Sequence, residues 1–192
     1  MKAQRFFSLI GLSQKPISLQ DNMLSLIGGF LGILGIFLCS YVLLDPEVAV
    51  YIVPSMGASA VLLFAAPHVP FSQPWNVFGG HLVSAAIGVV CWQVIPDYSI
   101  AASASVGLAI GGMYFLRCIH PPGGATALAF VIGPEQLHEL AYMYVIHPVL
   151  LNTLTLLLIA FAFNIFFNWR QYPAHLHATH RVITSVASGY PP

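Results

Sequence analysis

A chain of 192 residues that is 58% hydrophobic and only 6% charged cannot clothe a water-facing surface, where about a quarter of residues carry charge. A soluble globular domain is excluded, and a bilayer is the expected solvent. Six Lys and Arg against six Asp and Glu argue against the basic surface that nucleic acid needs.

The opening MKAQRFFSLIGLSQKPISLQDN is basic, with a short apolar patch that Gln14 and Lys15 interrupt. It lacks a small-residue cleavage site and reads as an interfacial segment, not a signal peptide. Four stretches then approach the ~20 apolar residues that cross a bilayer as a helix. They are 24–44, 76–95, 99–116 and 141–167. Two further stretches are irregular. Residues 48–66 carry Pro54 and Gly57 mid-run, and residues 120–133 open on His-Pro-Pro-Gly-Gly. The reading is one membrane domain over 1–192, its core about 23–168, with cytoplasmic or interfacial tails at 1–22 and 169–192. Cys39, Cys91 and Cys118 lie far apart in or beside apolar runs and read as packing residues.

The irregular stretches resemble each other. PSMGASA from Pro54 and PPGGATA from Pro121 both read Pro-x-x-Gly-Ala-(Ser/Thr)-Ala. The chain therefore reads as two repeats of helix, broken segment, helix. Fold class is all-α: a polytopic helical bundle of four long spans plus two Pro/Gly-broken segments. Basic residues at both chain ends favour two cytoplasmic termini and an even number of crossings. Re-entrant broken segments would give four crossings. Segments that cross would give six, with inverted repeats and Arg117 also inside. The shortness of 120–133 favours four.

A backbone break at membrane depth survives only when buried in protein or lining a wet cavity. Pro121 and Pro122 suit the first turn of a new helix, and Gly123 and Gly124 permit close approach. Short helices are expected to start near Gly57 and Gly124. Their N-termini, with Ser55, Ser59 and Thr126 as hydroxyl donors and Arg117 as a full charge, suit a small anion. Pro54 and Ala58 complete the first motif. The plainer alternative is a structural kink. His120 could donate to an anion or carry a coupled proton. His81, His147 and Asn152 are further candidates for a proton path or polar cavity, though packing roles would also suit them. Gly28/Gly32, Ser84/Gly88 and Gly107/Gly111 are small residues four apart, as helix packing needs. The tail histidines His175, His177 and His180 have no cysteine beside them, and no metal or cofactor is expected. The chain also lacks His-Glu-x-x-His, Gly-x-Ser-x-Gly and phosphate-loop motifs, so it is not expected to be an enzyme.

HPPGGATAL at 120–128, with PSMGASAVLLFAAPHVPFSQPWNVFGGH upstream and NIFFNWRQYP near the end, resembles the signature of the HPP family of integral membrane proteins. The likeness covers roughly residues 20–173. It implies four membrane-spanning helices and a transport role, nitrite being linked to some members. It marks His120, Pro121, Pro122, Gly123 and Gly124, with Pro54, Gly57 and Ala58 upstream. Some relatives carry a nucleotide-sensing module after the membrane part, which this chain is expected to lack. The expected function is carriage of a small inorganic anion, nitrite first, across a bacterial inner membrane. The partners are the lipid bilayer and the anion, and homo-oligomerisation is a further expectation. The rival readings are a membrane enzyme or redox subunit built on intramembrane histidines, and a structural or sensing subunit.

Overall fold

A computed structural model describes residues 18–43, 46–167, 169–170 and 172–174. Lys2, Arg5, Lys15, Arg181 and the tail histidines lie outside them. In chain order the elements are α1 (Leu19–Leu43), α2 (Pro46–Ala65), a 3-10 turn (Pro70–Ser72), α3 (Pro74–Val94), α4 (Tyr98–Phe115), α5 (Pro121–Ile132), the short α6 (Glu135–Glu139), a π-helical segment (Val145–Leu150) and α7 (Leu151–Asn164). Among the described residues four helices are long and apolar enough to cross a bilayer: Leu19–Val42, Pro74–Val94, Tyr98–Phe115 and Val145–Asn164.

Local chemistry sets the boundaries. Ser18 Oγ accepts from the Asp21 amide at 3.1 Å, and Asp97 Oδ1 accepts from the Ile100 amide at 2.9 Å, as N-caps do. Pro74 and Pro121 open α3 and α5, where a missing N–H costs nothing. Helix α4 ends with the Cys118 amide on Met113 O and the Arg117 amide on Tyr114 O. This is a Schellman closure, with Arg117 at φ 54° where glycine is usual.

Pairings along the helices fix their directions. Gly28 and Gly32 of α1 face Phe64 near the end of α2, so these two run antiparallel. Ser72 Oγ donates to Leu62 O and Ala66 O, bringing the start of α3 to the end of α2. Trp75 Nε1 donates to Leu116 O and Asn76 Nδ2 to Ile119 O, bringing the end of α4 to the start of α3. Gly80 faces His120, Gly88 faces Ala127 and Trp92 meets Phe130, so α5 runs parallel to α3. Gly35 faces Ile159 and Gly28 faces Phe163, so α7 runs antiparallel to α1. Directions therefore alternate through α1, α2, α3, α4, α5 and α7. We call the end holding the start of α1 and the end of α7 the first end.

Neither short segment dips and returns; each leaves at the end opposite its entry. Alternating directions are what six passages with inverted repeats require, while among the described residues the four long helices are those with the length and apolarity of a membrane span. The short α5 still fits because it begins at the level of Gly80, six residues into α3 and so about 9 Å inside the bundle. The 3-10 turn and residues 116–119 fill the space beyond it. Repeats α1–α2–α3 and α4–α5–α7 thus run in opposite senses. Burial matches residue by residue between Pro54–Ala60 and Pro121–Ala127: Pro54/Pro121 and Ala58/Ala125 are outward, Ser59/Thr126 inward.

The interior is built from Ile36, Ile52, Met56, Leu63, Phe64, Phe130, Tyr144 and Leu156. Phe30, Leu38, Val61, Leu158 and Phe166 point outward, as a lipid-facing surface requires. The small-residue pairs divide. Gly28/Gly32 and Ser84/Gly88 seat neighbouring helices, while the space at Gly107 and Gly111 is open.

Candidate functional site

Where the repeats cross, four polar side chains form one hydrogen-bonded chain. His120 Nδ1 lies 2.7 Å from Phe71 O, and its Nε2 lies 2.8 Å from Ser59 Oγ. Ser59 Oγ lies 2.7 Å from His81 Nε2, and His81 Nδ1 lies 2.7 Å from Thr126 Oγ1. The imidazole centroids are 4.8 Å apart. His81, His120, Ser59 and Thr126 are all fully buried. His81 sits three residues before the midpoint of α3, about 4.5 Å along its axis. All four ring nitrogens are engaged, and leaving any one unpaired would cost about 1–3 kcal/mol.

Each member is placed by its local sequence. His120 precedes Pro121 and is held extended at φ −140°, ψ 103°, as pre-proline residues are. Its amide donates to Met113 Sδ at 3.4 Å. Gly80 lets the turn come in, since a methyl there would reach within 2.5 Å of His120 Cβ. Ser59 and Thr126 hold the same place in the two Pro-x-x-Gly-Ala motifs. They grip opposite nitrogens of one ring, so His81 lies where the repeats are exchanged by their approximate symmetry. Tyr144 OH steadies the far side by donating to Thr126 O at 2.9 Å.

The hydrogens can be assigned from the acceptors. Phe71 O can only accept, so His120 Nδ1 carries hydrogen and, in the neutral ring, Nε2 accepts from Ser59. Ser59 Oγ then receives His81 Nε2–H, and His81 Nδ1 receives the Thr126 hydroxyl. Every hydrogen points one way, from Thr126 to Phe71.

Several expected contributors lie elsewhere. Arg117 is exposed at the first end, because the left-handed turn that closes α4 directs it outward. His147 is half-buried near the start of the last span, at a non-helical φ −135°, ψ 97° beside Pro148, and is not in the chain. Asn152 is buried and accepts from Ser40 Oγ at 3.2 Å, joining α7 to α1. Ser55 Oγ donates back to Ile52 O. Pro54 and Ala58 face outward and Gly57 is half-buried.

The helix-terminus anion cradle is not formed. Helix α2 runs unbroken through Pro54, so no helix starts at Gly57. At α5, Pro121 and Pro122 have no N–H, and the Gly123 amide already donates to His120 O at 2.8 Å. Prolines that suit a helix start also remove the donors an anion would need. Sequence reasoning missed Phe71, whose contribution is a backbone carbonyl, and Tyr144, hidden in an apolar run. It also missed Arg170, only 5% exposed, which binds Phe64 O and Asn164 Oδ1 at the first end. Among the described residues no three His, Cys, Asp or Glu side chains come together.

Comparison with known proteins agrees with this architecture. The family model described as HPP, transmembrane region, matches residues 14–173. A transmembrane protein of Dictyostelium discoideum is 37% identical over 176 residues, 88% of this chain and 56% of that protein. A second from the same organism is 36% identical over 154 residues, 78% of this chain and 53% of that protein. The chain thus spans about half the length of these curated relatives. No solved structure matches it. Matched over most of its length by the family's membrane region, the chain belongs to the HPP family of integral membrane proteins.

Proposed function

We propose that the protein is a multi-pass carrier of a small inorganic anion, nitrite being the first candidate, and that the anion moves with a proton. The observation that supports this is the buried pair His81 and His120, joined through Ser59 where two inverted repeats cross. Among the described residues no acidic side chain is hydrogen-bonded to it. A proton taken up there makes a buried cation, which is costly unless paired. Asp21, Asp97, Glu135 and Glu139 stand at or near helix ends, so a monoanion would supply the missing counter-charge. A cationic substrate would add to the charge.

Inverted repeats offer a route to alternating access by movement of one against the other. The site side chains touch one another directly, so the anion enters only after α2 and α5 part. Arg117 and Arg170 at the first end favour placing that end and both termini in the cytoplasm. The bacterial inner membrane is the proposed location.

The test is anion influx into proteoliposomes, comparing nitrite with nitrate, formate, chloride and bicarbonate, with and without an inward proton gradient. Saturable nitrite entry that the gradient accelerates, and that folded His81→Gln and His120→Gln abolish, is expected. Influx of no anion above empty liposomes would overturn the proposal.

A further inference from the structure

The hydrogen-bonded chain has two ways of holding one extra proton, and this sets how it behaves as a unit. We infer that Ser59 relays a single excess proton between His81 and His120, so that the two rings share one charge. This rests on the carrier reading only for its consequence for transport; the relay itself follows from the geometry.

Adding one proton to the neutral chain gives two fully bonded arrangements. In one, His81 is the imidazolium: Nδ1–H donates to Thr126 Oγ1, Nε2–H donates to Ser59 Oγ, and the Ser59 hydroxyl donates to His120 Nε2. In the other, His120 is the imidazolium: Nε2–H donates to Ser59 Oγ, and the Ser59 hydroxyl donates to His81 Nε2. In both, the Thr126 hydroxyl turns to Pro122 O, 3.4 Å away, and His120 Nδ1–H stays on Phe71 O. Two proton transfers interconvert them. The His81 Nε2–H bond breaks as its proton moves to Ser59 Oγ, and the Ser59 O–H bond breaks as that proton moves to His120 Nε2. Ser59 ends neutral, and the charge has moved from one ring to the other. The O···N distances of 2.7 and 2.8 Å suit such transfer.

A second proton is disfavoured. It would set two cations with ring centroids 4.8 Å apart in surroundings of low polarity, both donating to Ser59 Oγ while its hydroxyl turns to Ser55 O, 3.1 Å away. Nothing nearby relieves this. Helices α5 and α7 carry no ionisable side chain. Those of α4 are the exposed Tyr98 and Tyr114. In α1 they are Asp21, Cys39 and Tyr41, toward its two ends, and in α2 Glu47 and Tyr51, at least two turns from Ser59. The others on packed elements are Cys118 against Gly79, Cys91 further along α3, His147 on the π-helical segment, Glu135, Glu139 and His138 on α6, the last held on Phe130 O, and Tyr144, whose hydroxyl is committed to Thr126 O.

Nitrogen-15 NMR of histidine-labelled protein in bilayers tests this, titrated from about pH 8 to about pH 3, through and below the ordinary histidine range. His81→Gln and His120→Gln assign the two rings. The expected result is an Nε2–H tautomer for His81 and an Nδ1–H tautomer for His120 at high pH. On acidification the two signals move together and take up one proton between them. Ser59→Ala, which keeps a good helix former in α2, separates them into independent titrations, and Ser59→Thr restores joint behaviour. Independent titration in the native protein, or joint titration that survives Ser59→Ala, would overturn the relay. In proteoliposomes the companion expectation is one proton per anion. Absence of any anion flux would remove the carrier reading, while the NMR titration would still decide the relay.

Discussion

Adjacent glycines in the HPPGG motif meet different surroundings. A methyl on Gly123 would lie 2.7 Å from Ser84 Oγ and 2.8 Å from Gly80 O, whereas one on Gly124 would meet only Val106 Cγ1 at 3.7 Å. Gly123 is thus the contact that lets α5 seat against α3. Overpacking a close backbone contact costs about 1–3 kcal/mol, while Ala in place of Gly inside a helix gains up to about 1 kcal/mol. Gly123→Ala should therefore lower the thermal midpoint of the detergent-solubilised protein, and Gly124→Ala should leave it unchanged or raise it. Equal effects at both positions would contradict the packing. Arg117 supports a second prediction. Its φ of 54° costs a non-glycine residue about 1–2 kcal/mol, partly offset by the flexibility glycine brings to the unfolded chain. Arg117→Gly should stabilise the fold by about 0.5–1 kcal/mol in the same melting assay and leave anion influx intact. Lost influx in a folded variant would return Arg117 to the site. The residue types of the site were partly legible: His120, Ser59, Thr126 and His81 were all marked by their place at membrane depth. Their mutual contact was not, because it depends on two distant motifs meeting one ring. Phe71 was invisible because a carbonyl has no side-chain signature.

At the scale of elements, Arg170 joins three helices at the first end. It donates to Phe64 O at the end of α2, to Asn164 Oδ1 at the end of α7, and weakly to Asp21 O and Ser25 Oγ on α1. Trp169 Nε1 adds a bond to Asp21 Oδ1 at 2.9 Å. Burial lowers the Arg170 pKa and the neighbouring Asp21 carboxylate raises it. The ion pair itself is long, at 3.9 Å, and Asp21 is partly exposed, so its own share is small. The larger share lies with the guanidinium fork, which satisfies buried acceptors on two helices together. Arg170→Met strands those acceptors and should destabilise the protein by about 2–3 kcal/mol, read as a lower melting midpoint. Arg170→Lys should recover little, because one ammonium cannot reproduce the fork. Asp21→Asn should matter far less than either. Full recovery by Lys would show that only charge is needed. The long spans were legible in the sequence because twenty apolar residues have few other uses. Two features were not. Pro54 signals a break in the sequence, yet α2 continues through it, since a proline removes one helical bond and the turns on either side still hold. The clasp was also missed, because Arg170 near a chain end looks like any basic flanking residue until packing buries it.

For the whole molecule, the decisive property is that the repeats run in opposite senses. Ser59 and Thr126 occupy the same motif position, yet they grip opposite nitrogens of His81, as repeats running in opposite senses allow. Two re-entrant segments would instead leave the α2–α3 loop on the side opposite Ser18. Single cysteines in a background lacking Cys39, Cys91 and Cys118 separate these arrangements. The positions are His68 and Pro96, both exposed, in the α2–α3 and α3–α4 connections. Six alternating passages put His68→Cys on the same side as Ser18→Cys, and Pro96→Cys on the other. Four crossings with two re-entrant loops exchange those two results. Labelling of sealed vesicles with a membrane-impermeant maleimide, before and after permeabilisation, reads the difference directly. His68→Cys grouping with Ser18→Cys, and Pro96→Cys opposing both, is the expected outcome. The exchanged pattern would separate the repeats from inverted symmetry, and with it would go the reason two hydroxyls at one motif position meet opposite nitrogens of His81.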